Sequence, residues 1–219
     1  MENNKQNKDS NGETTKPLAH IIDDDEAVLD SLGLLFDSVD IDNQCYRSAT
    51  EFLDEYQNPT FNKHTGCIVL DIRMPEMSGM DCQKKLNQLD ASLPIIFLTG
   101  HGDVQLAVEA MKNGALDFIE KPFREQQLLT AIQNAIQYSV YSNKKQNILH
   151  QTMEKLDLLT RRESQILEAI VDGKANKVIA IDLNLSERTI EIHRAHVMEK
   201  MQANSLAHLI RMYLDVNKN

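Results

Sequence analysis

From Leu18 onward, short apolar runs alternate with amphipathic stretches. The runs are LAHII at 18–22, CIVL at 67–70, PIIFL at 94–98 and LDFI at 116–119, with a weaker one near 43–46. Their β-branched content and turn-rich flanks predict strands of a buried parallel sheet. Between the first two runs, Leu32, Leu35, Phe36 and Val39 recur at i, i+3, i+4, i+7, the stripe of an amphipathic helix. Val104, Ala107, Val108 and Met111 repeat the stripe before Gly114, and Leu128, Leu129, Ile132 and Ile136 repeat it after Pro122. Strands alternating with helices predict a doubly wound α/β domain over 17–139, flavodoxin-like with five parallel strands. Its sites should lie at the strands' carboxyl ends.

The pattern changes twice outside that span. Residues 1–16 carry no large apolar side chain beyond Met1 and are rich in Asn and Lys, as expected of a disordered tail. Residues 140–155 are polar with sparse apolar positions, and are expected to form a linker that is in part helical. Beyond Leu156 no strand-like run occurs. TRRE at 160–163 has capping-box spacing before Ile166, Leu167 and Ile170, and Gly173 closes that helix. A short helix is predicted at about 176–183, a longer one from Ser186 to about Met201, and a fourth from about Ser205. Residues 156–219 thus read as a small all-α domain of four helices containing a helix-turn-helix.

Charge changes the picture once it is split by segment. The 219 residues hold 33 acidic and 23 basic side chains, a net charge of −10, which at first argues against nucleic acid. Residues 1–155 hold 24 acidic and 14 basic groups, and 156–219 hold nine of each, so the entire excess lies in the first part. Three cysteines and no secretory leader point to a reducing cytosol rather than a disulfide scaffold. No apolar stretch is long enough to span a membrane.

The acidic excess has a focus. The first strand runs into Asp23, Asp24, Asp25 and Glu26; the third delivers Asp71, then Ile72 and Arg73; the fourth ends at Thr99; the fifth precedes Lys121-Pro122. In a parallel sheet these positions share one edge. Any single acid after a strand is readily explained as a helix N-terminal residue favoured by the dipole. The joint placement of carboxylates, a hydroxyl and an ammonium is much harder to reach by chance. Crowded carboxylates favour a hard divalent cation such as Mg²⁺, beside which one of them can attack phosphorus while Thr99 and Lys121 hold the phosphoryl oxygens.

On these residues, 18–138 resembles the receiver domain of two-component response regulators. TGHGD at 99–103 and DFIEKPF at 117–123 are similar to the FixJ-type subgroup. The resemblance implies that Asp71 is the phospho-acceptor, that Asp24 is a direct Mg²⁺ ligand and Asp23 one acting through water, and that the backbone carbonyl of Arg73 is a further ligand. It also implies that Thr99 is the switch hydroxyl, Lys121 the family's lysine and Phe118 the switch aromatic. Arg73 and His101 take positions that tune phosphate lifetime in receivers generally. Cys45, Cys67 and Cys82 receive no role.

Plotted at about 100° per residue, residues 186–201 place Ile190, Val197 and Met201 on one side, with Arg188, Ile192, Ala195 and Glu199 opposite and Glu191 and His196 at the margins. Periodicity alone is equally compatible with an ordinary helix of a small bundle. LTRRE at 159–163, NKVIA at 176–180, LSERT at 185–189 and EIH at 191–193 resemble the LuxR-type DNA-binding domain, over about 156–216. That resemblance makes the longer helix the one that enters the major groove. Lys177, Arg188, Arg194 and Lys200 are then candidates for phosphate contact, with Arg194 also placed to pair internally. Glu191 and Ile192 match base-reading positions: the Glu can accept from a cytosine amino group or merely reject wrong sequences, and the Ile can touch a thymine methyl. Thr189, His193 and Ala195 complete the candidate set.

The two resemblances imply a phosphorylation-activated, DNA-binding transcriptional activator. Its expected partners are a sensor histidine kinase, promoter DNA, RNA polymerase and a second copy of the chain, paired through the helix–strand–helix surface at about 103–138. A cytoplasmic location and no turnover of an external substrate follow. The rival from another class is a Mg²⁺-dependent phosphohydrolase, which usually carries an acid two positions after its nucleophile; here that position is Arg73.

Overall fold

The computed structural model describes residues 16–58, 61, 65–100 and 104–217; residues 1–15 of the expected tail, and His101, lie outside the described residues. Five strands, β1 (Leu18–Ile22), β2 (Asp42–Tyr46), β3 (Gly66–Asp71), β4 (Ile95–Thr99) and β5 (Asp117–Glu120), form one sheet in the order β2-β1-β3-β4-β5. Every neighbouring pair is parallel, so all the carboxyl ends meet at one edge.

Alternating strand residues serve two cores. Ile22, Ile68, Leu70 and Phe97 pack with Phe52 of α2 (Ala49–Tyr56) and Leu86 of α3 (Gly79–Gln88) on one face. Ala19, Ile21, Val69 and Ile96 pack with Phe36 of α1 (Glu26–Asp37) and Ile132 of α5 (Glu125–Asp157) on the other. Each fully buried Ile or Phe stabilises by roughly 1.5–3 kcal/mol, so the layering is held mainly by these two apolar sets. Ser48 and Ser78 accept hydrogen bonds from the backbone N–H groups of Glu51 and Asp81, fixing the starts of α2 and α3.

Two expected apolar stripes behave differently. α1 ends at Asp37 and the chain turns through Asp40 at φ 59°, which leaves Val39 42% exposed rather than in the core. In α4 (Val104–Lys112) the inward side is carried by Ala110 and the half-buried Leu106, whereas Val104, Val108 and Met111 face solvent. Helical periodicity identifies a face but not what lies against it. Residues 140–155, expected to be a linker that is in part helical, are helical throughout as part of α5. No Gly or Pro interrupts the chain between Pro122 and Gly173, so nothing there stops a helix until Thr160 starts the next.

The chain divides into two compact units after Asn143. The second holds α6 (Arg161–Val171), α7 (Asn176–Leu183), α8 (Glu187–Lys200) and α9 (Leu206–Val216). Thr160 and Glu163 form the expected capping box, Asn184 takes φ 54° between α7 and α8, and Ser186 and Ser205 cap α8 and α9. Ile166, Ile170, Ile179 and Ile190 make one apolar cluster, and Leu167, Val197, Met201 and Leu209 another. No described helix is long and apolar enough to cross a membrane.

Candidate functional site

The carboxyl edge of the sheet brings Asp23, Asp71 and Lys121 together. Asp23 and Asp71 are 3% and 8% exposed, and the Lys121 ammonium donates to Asp23 Oδ2 at 2.6 Å and to Asp71 Oδ1 at 2.9 Å. The remaining oxygens are also held: the Arg73 N–H donates to Asp71 Oδ2 at 2.7 Å and the Asp25 N–H to Asp23 Oδ1 at 3.0 Å. Burial pushes the Asp71 carboxyl above its ordinary pKa, and the Lys121 contact pulls it back only in part. Burial works against the Lys121 ammonium, but its bonds to Asp23 and Asp71 outweigh it and raise its pKa. Two buried carboxylates sharing one ammonium leave a pocket that favours cations and places a cationic donor beside the Asp71 oxygens.

The other receiver positions surround that triad. Thr99 is 1% exposed, one step beyond the level where Asp71 pairs with Leu98, and its carbonyl accepts from the Lys121 N–H at 2.7 Å. Phe118 pairs in register with Phe97 on β4, their ring centroids 6.5 Å apart. Asp24 is exposed, in a groove shared with Arg73, Met74, Ser78 and Lys84. The acidic run divides its work, because Asp25 accepts from the Ala27 N–H and caps α1 rather than joining the pocket. Cys67 and Cys82, with thiols pushed up to about 12 by burial, are poor nucleophiles.

One pocket residue escaped the sequence reading. Gly79 opens α3, and a Cβ there would stand 2.2 Å from the carbonyl oxygen of Asp71. Its N–H donates to the Ile72 carbonyl at 2.9 Å, so the glycine lets α3 close on the segment that carries the acceptor. The available signal was its place beside Ser78, a helix cap a few residues past the acceptor.

On α8 the outward side carries Arg188, Glu191, Ile192, Ala195 and Glu199, all exposed, while Ile190, Val197 and Met201 are buried. Lys177 is exposed on α7. Thr189 sits partly in the cap, its hydroxyl 2.7 Å from that of Ser186. His193 is half-buried, and its Nδ1 has no hydrogen-bond partner among the described residues. Two candidate phosphate contacts have partners inside the unit. Arg194 donates to Asn176 Oδ1 at 3.0 Å, its internal alternative. Lys200 donates to Glu163 Oε2 at 2.6 Å and to the Leu158 carbonyl at 3.2 Å, so it is committed inside the unit. A helical wheel gives the angle of a side chain but not the acid waiting on another helix.

Glu163, 3% exposed, depends on that pair. Burial opposes its charge, but Lys200 and the Thr160 N–H and hydroxyl overcome it and lower the pKa to about 2. Lys200→Met should therefore leave a buried carboxylate short of its cation and destabilise the second unit by about 2–3 kcal/mol, read as a lower denaturant midpoint. An unchanged midpoint would mean the pair contributes nothing.

Comparison with known proteins agrees with both halves. Residues 19–133 match the response regulator receiver domain family, and 157–213 match the luxR family of bacterial regulatory proteins. The chain is 42% identical over 195 residues to the response regulator protein TmoT of Ectopseudomonas mendocina, covering 89% of this chain and 87% of that protein. It is 43% identical over 200 residues to the transcriptional regulatory protein FixJ of Rhizobium meliloti (strain 1021), covering 91% and 96%. Among solved structures it is similar to the response regulator StyR, with a TM-score of 0.81 and 36% identity over 91% of this chain and 99% of that one. Full-length FixJ from B. japonicum gives a TM-score of 0.57 and 40% identity over 94% and 100%.

Proposed function

Since the chain belongs to the response regulators, as a receiver domain followed by a luxR-family DNA-binding domain of the NarL/FixJ type, we propose that phosphorylation of Asp71 switches its binding to promoter DNA. The observation that carries this reading is the Lys121 ammonium held between Asp23 Oδ2 and Asp71 Oδ1 at the carboxyl edge. In the proposed reaction an Asp71 oxygen attacks the phosphorus of a phosphohistidine on a sensor kinase. The P–N bond breaks, the imidazole leaves and takes up a proton, and an aspartyl phosphate remains. Lys121 stays on the phosphoryl oxygens and neutralises the added charge, and Thr99 donates its hydroxyl to another of them.

Receiver domains generally depend on Mg²⁺. The donors fit such an ion: hard carboxylate oxygens, two of them close enough to share one cation. Asp23, Asp24, Asp71 and the backbone carbonyl of Arg73 would hold it, and it would supply neutralisation of phosphoryl charge. Adding Mg²⁺ to the full chain should raise the receiver's thermal midpoint progressively with concentration, because the ion binds the folded pocket and not the unfolded chain. Asp24→Asn should flatten that response, and an equal response in the variant would remove Asp24 from the ligand set.

The readout proposed is repacking of Phe118 and α4 after Thr99 engages the phosphoryl group. The solvent-facing Val104, Val108 and Met111 support pairing with a second copy through the 103–138 surface, since an apolar stripe on an otherwise acidic unit is costly to leave in water. Pairing would set two α8 helices on two half-sites, and RNA polymerase recruitment would make the protein a cytoplasmic transcriptional activator. The chain would act on its own aspartate with no external turnover. The test is treatment of the full chain with a small phosphodonor and Mg²⁺. One phosphoryl group on Asp71 with a monomer-to-dimer shift is expected, whereas catalytic hydrolysis of an external phosphate ester would favour the phosphohydrolase.

On DNA, Arg188 is exposed at the start of α8 and suited to a phosphate. Arg188→Ala should weaken binding to every sequence alike and reduce the slope of log affinity against log salt by about 1. A loss confined to one base position would instead make it a base reader.

A further inference from the structure

The second unit carries a cluster of which the DNA-binding reading uses only His193. Ligand-capable atoms of Glu163, His193 and His196 all lie within 4.8 Å of one another. The histidines stand three apart on α8 and share a face, and Glu163 reaches them from the first turn of α6. The Glu163 oxygens divide: Oε2 takes the Lys200 ammonium and the Thr160 N–H and hydroxyl, whereas Oε1 faces His196 Nδ1 at 3.9 Å. Among the described residues, His193 Nδ1 is buried without a hydrogen-bond partner, an unfavourable state that a bound ion would relieve.

We infer that Glu163, His193 and His196 form a binding site for a transition-metal ion of the zinc, nickel or copper class, which clips the DNA-reading helix α8 to α6. Two imidazole nitrogens and one carboxylate oxygen are a donor set such ions take, with solvent in the remaining position, and imidazole makes the set unattractive to Mg²⁺. Ligand atoms around a tetrahedral ion stand about 3.4 Å apart, so the cluster must contract by up to about 1.5 Å. His196 can supply that movement, since its side chain is 52% exposed and free to turn about χ1 and χ2. Lys200 remains on Oε2 and plays the part of an outer partner that orients the carboxylate. Because one ligand comes from α6 and two from α8, occupancy ties the reading helix down and withdraws His193 and His196 from any contact with DNA.

The test uses the untagged full chain, stripped with a chelator and kept in excess Mg²⁺ so that the receiver pocket is saturated. Zn²⁺ is titrated by calorimetry, and Co²⁺ by its visible absorption, which reports a low-symmetry nitrogen and oxygen environment. One equivalent should bind and raise the thermal midpoint of the second unit. His196→Ala, at a half-exposed position that leaves the core intact, should weaken binding roughly tenfold or more, at least the loss expected for an outer partner. Asp24→Asn and Cys45→Ser should bind as the parent does. The inference is overturned if no equivalent binds, if His196→Ala binds Zn²⁺ as the parent does, or if either of the other two variants removes binding.

Discussion

Asp71→Asn is expected to abolish the response of the full chain to a phosphodonor, leaving it monomeric and bound to its promoter only at the basal level. The amide keeps the side chain's size and one acceptor oxygen for the Arg73 N–H, which donates to Asp71 at 2.7 Å, so the fold should survive. What disappears is the anionic oxygen able to form the P–O bond, together with one of the two anions that hold Lys121. The effect on DNA should be large because the reader is electrically neutral overall, its nine basic side chains matched by nine acidic ones. Arg194 and Lys200 are turned inward, which leaves Lys177 and Arg188 as the exposed basic groups of the original candidates. Each reader should therefore bind weakly alone, and joining two on adjacent half-sites adds an effective concentration worth about 100-fold or more in affinity. Mobility shift with and without phosphodonor measures that gain: about 100-fold in the parent, none in the variant. A variant that still dimerised and gained affinity would refute control through Asp71.

Gly79→Ala should have the second large effect, and it acts on the fold and the pocket together. Alanine is the better helix former, so local propensity alone predicts a gain. The clash reverses the sign. The new Cβ would lie 2.2 Å from the Asp71 carbonyl oxygen and 3.1 Å from Ile72 Cα, and both obstacles are backbone, which cannot rotate away as a side-chain end would. Either α3 withdraws or the end of β3 moves. Overpacking of this kind costs about 3 kcal/mol, a fall of about 10 °C in the receiver's thermal midpoint. Phosphorylation should slow as well, because the displaced segment carries the acceptor. Gly66→Ala separates the two effects. Its Cβ would meet the Leu18 carbonyl oxygen at 1.9 Å, at the opposite end of β3 from the pocket. It should destabilise comparably, while the fraction that remains folded takes phosphate at the parent's rate. If Gly79→Ala left both midpoint and rate unchanged, the close approach of α3 to Asp71 would not matter.

The pocket was legible because its residues follow from chain order and one rule of topology. Each of Asp23, Asp71, Thr99 and Lys121 comes at or just after the end of an apolar run, and parallel strands align all such ends. The helix boundaries of the second unit were legible for a similar reason, since Thr160, Ser186 and Ser205 cap helices through bonds spanning three residues. Residues whose partners are distant in the chain could not be placed from the sequence. Lys200 looked like a groove cation and is spent on Glu163, 37 positions earlier. The Val104, Val108 and Met111 stripe marked a helix, but its periodicity did not say that Ala110 and Leu106 do the packing while these three stand exposed. Glu163 was seen as a cap, and its neighbours His193 and His196 appeared only once α6 and α8 were folded together.

The amino-acid sequence by itself determined the element order, the doubly wound sheet, the helix caps and the edge where the carboxylates gather. These depend on periodicity, on local hydrogen bonds and on the direction of the chain, all written within a few residues of each other. Tertiary structure decided which charges are free and which are paired, why position 79 must be glycine, and where two histidines meet a buried glutamate. Those are distances between groups far apart in sequence. Coulomb attraction, steric overlap and metal coordination depend on such distances, and only packing sets them.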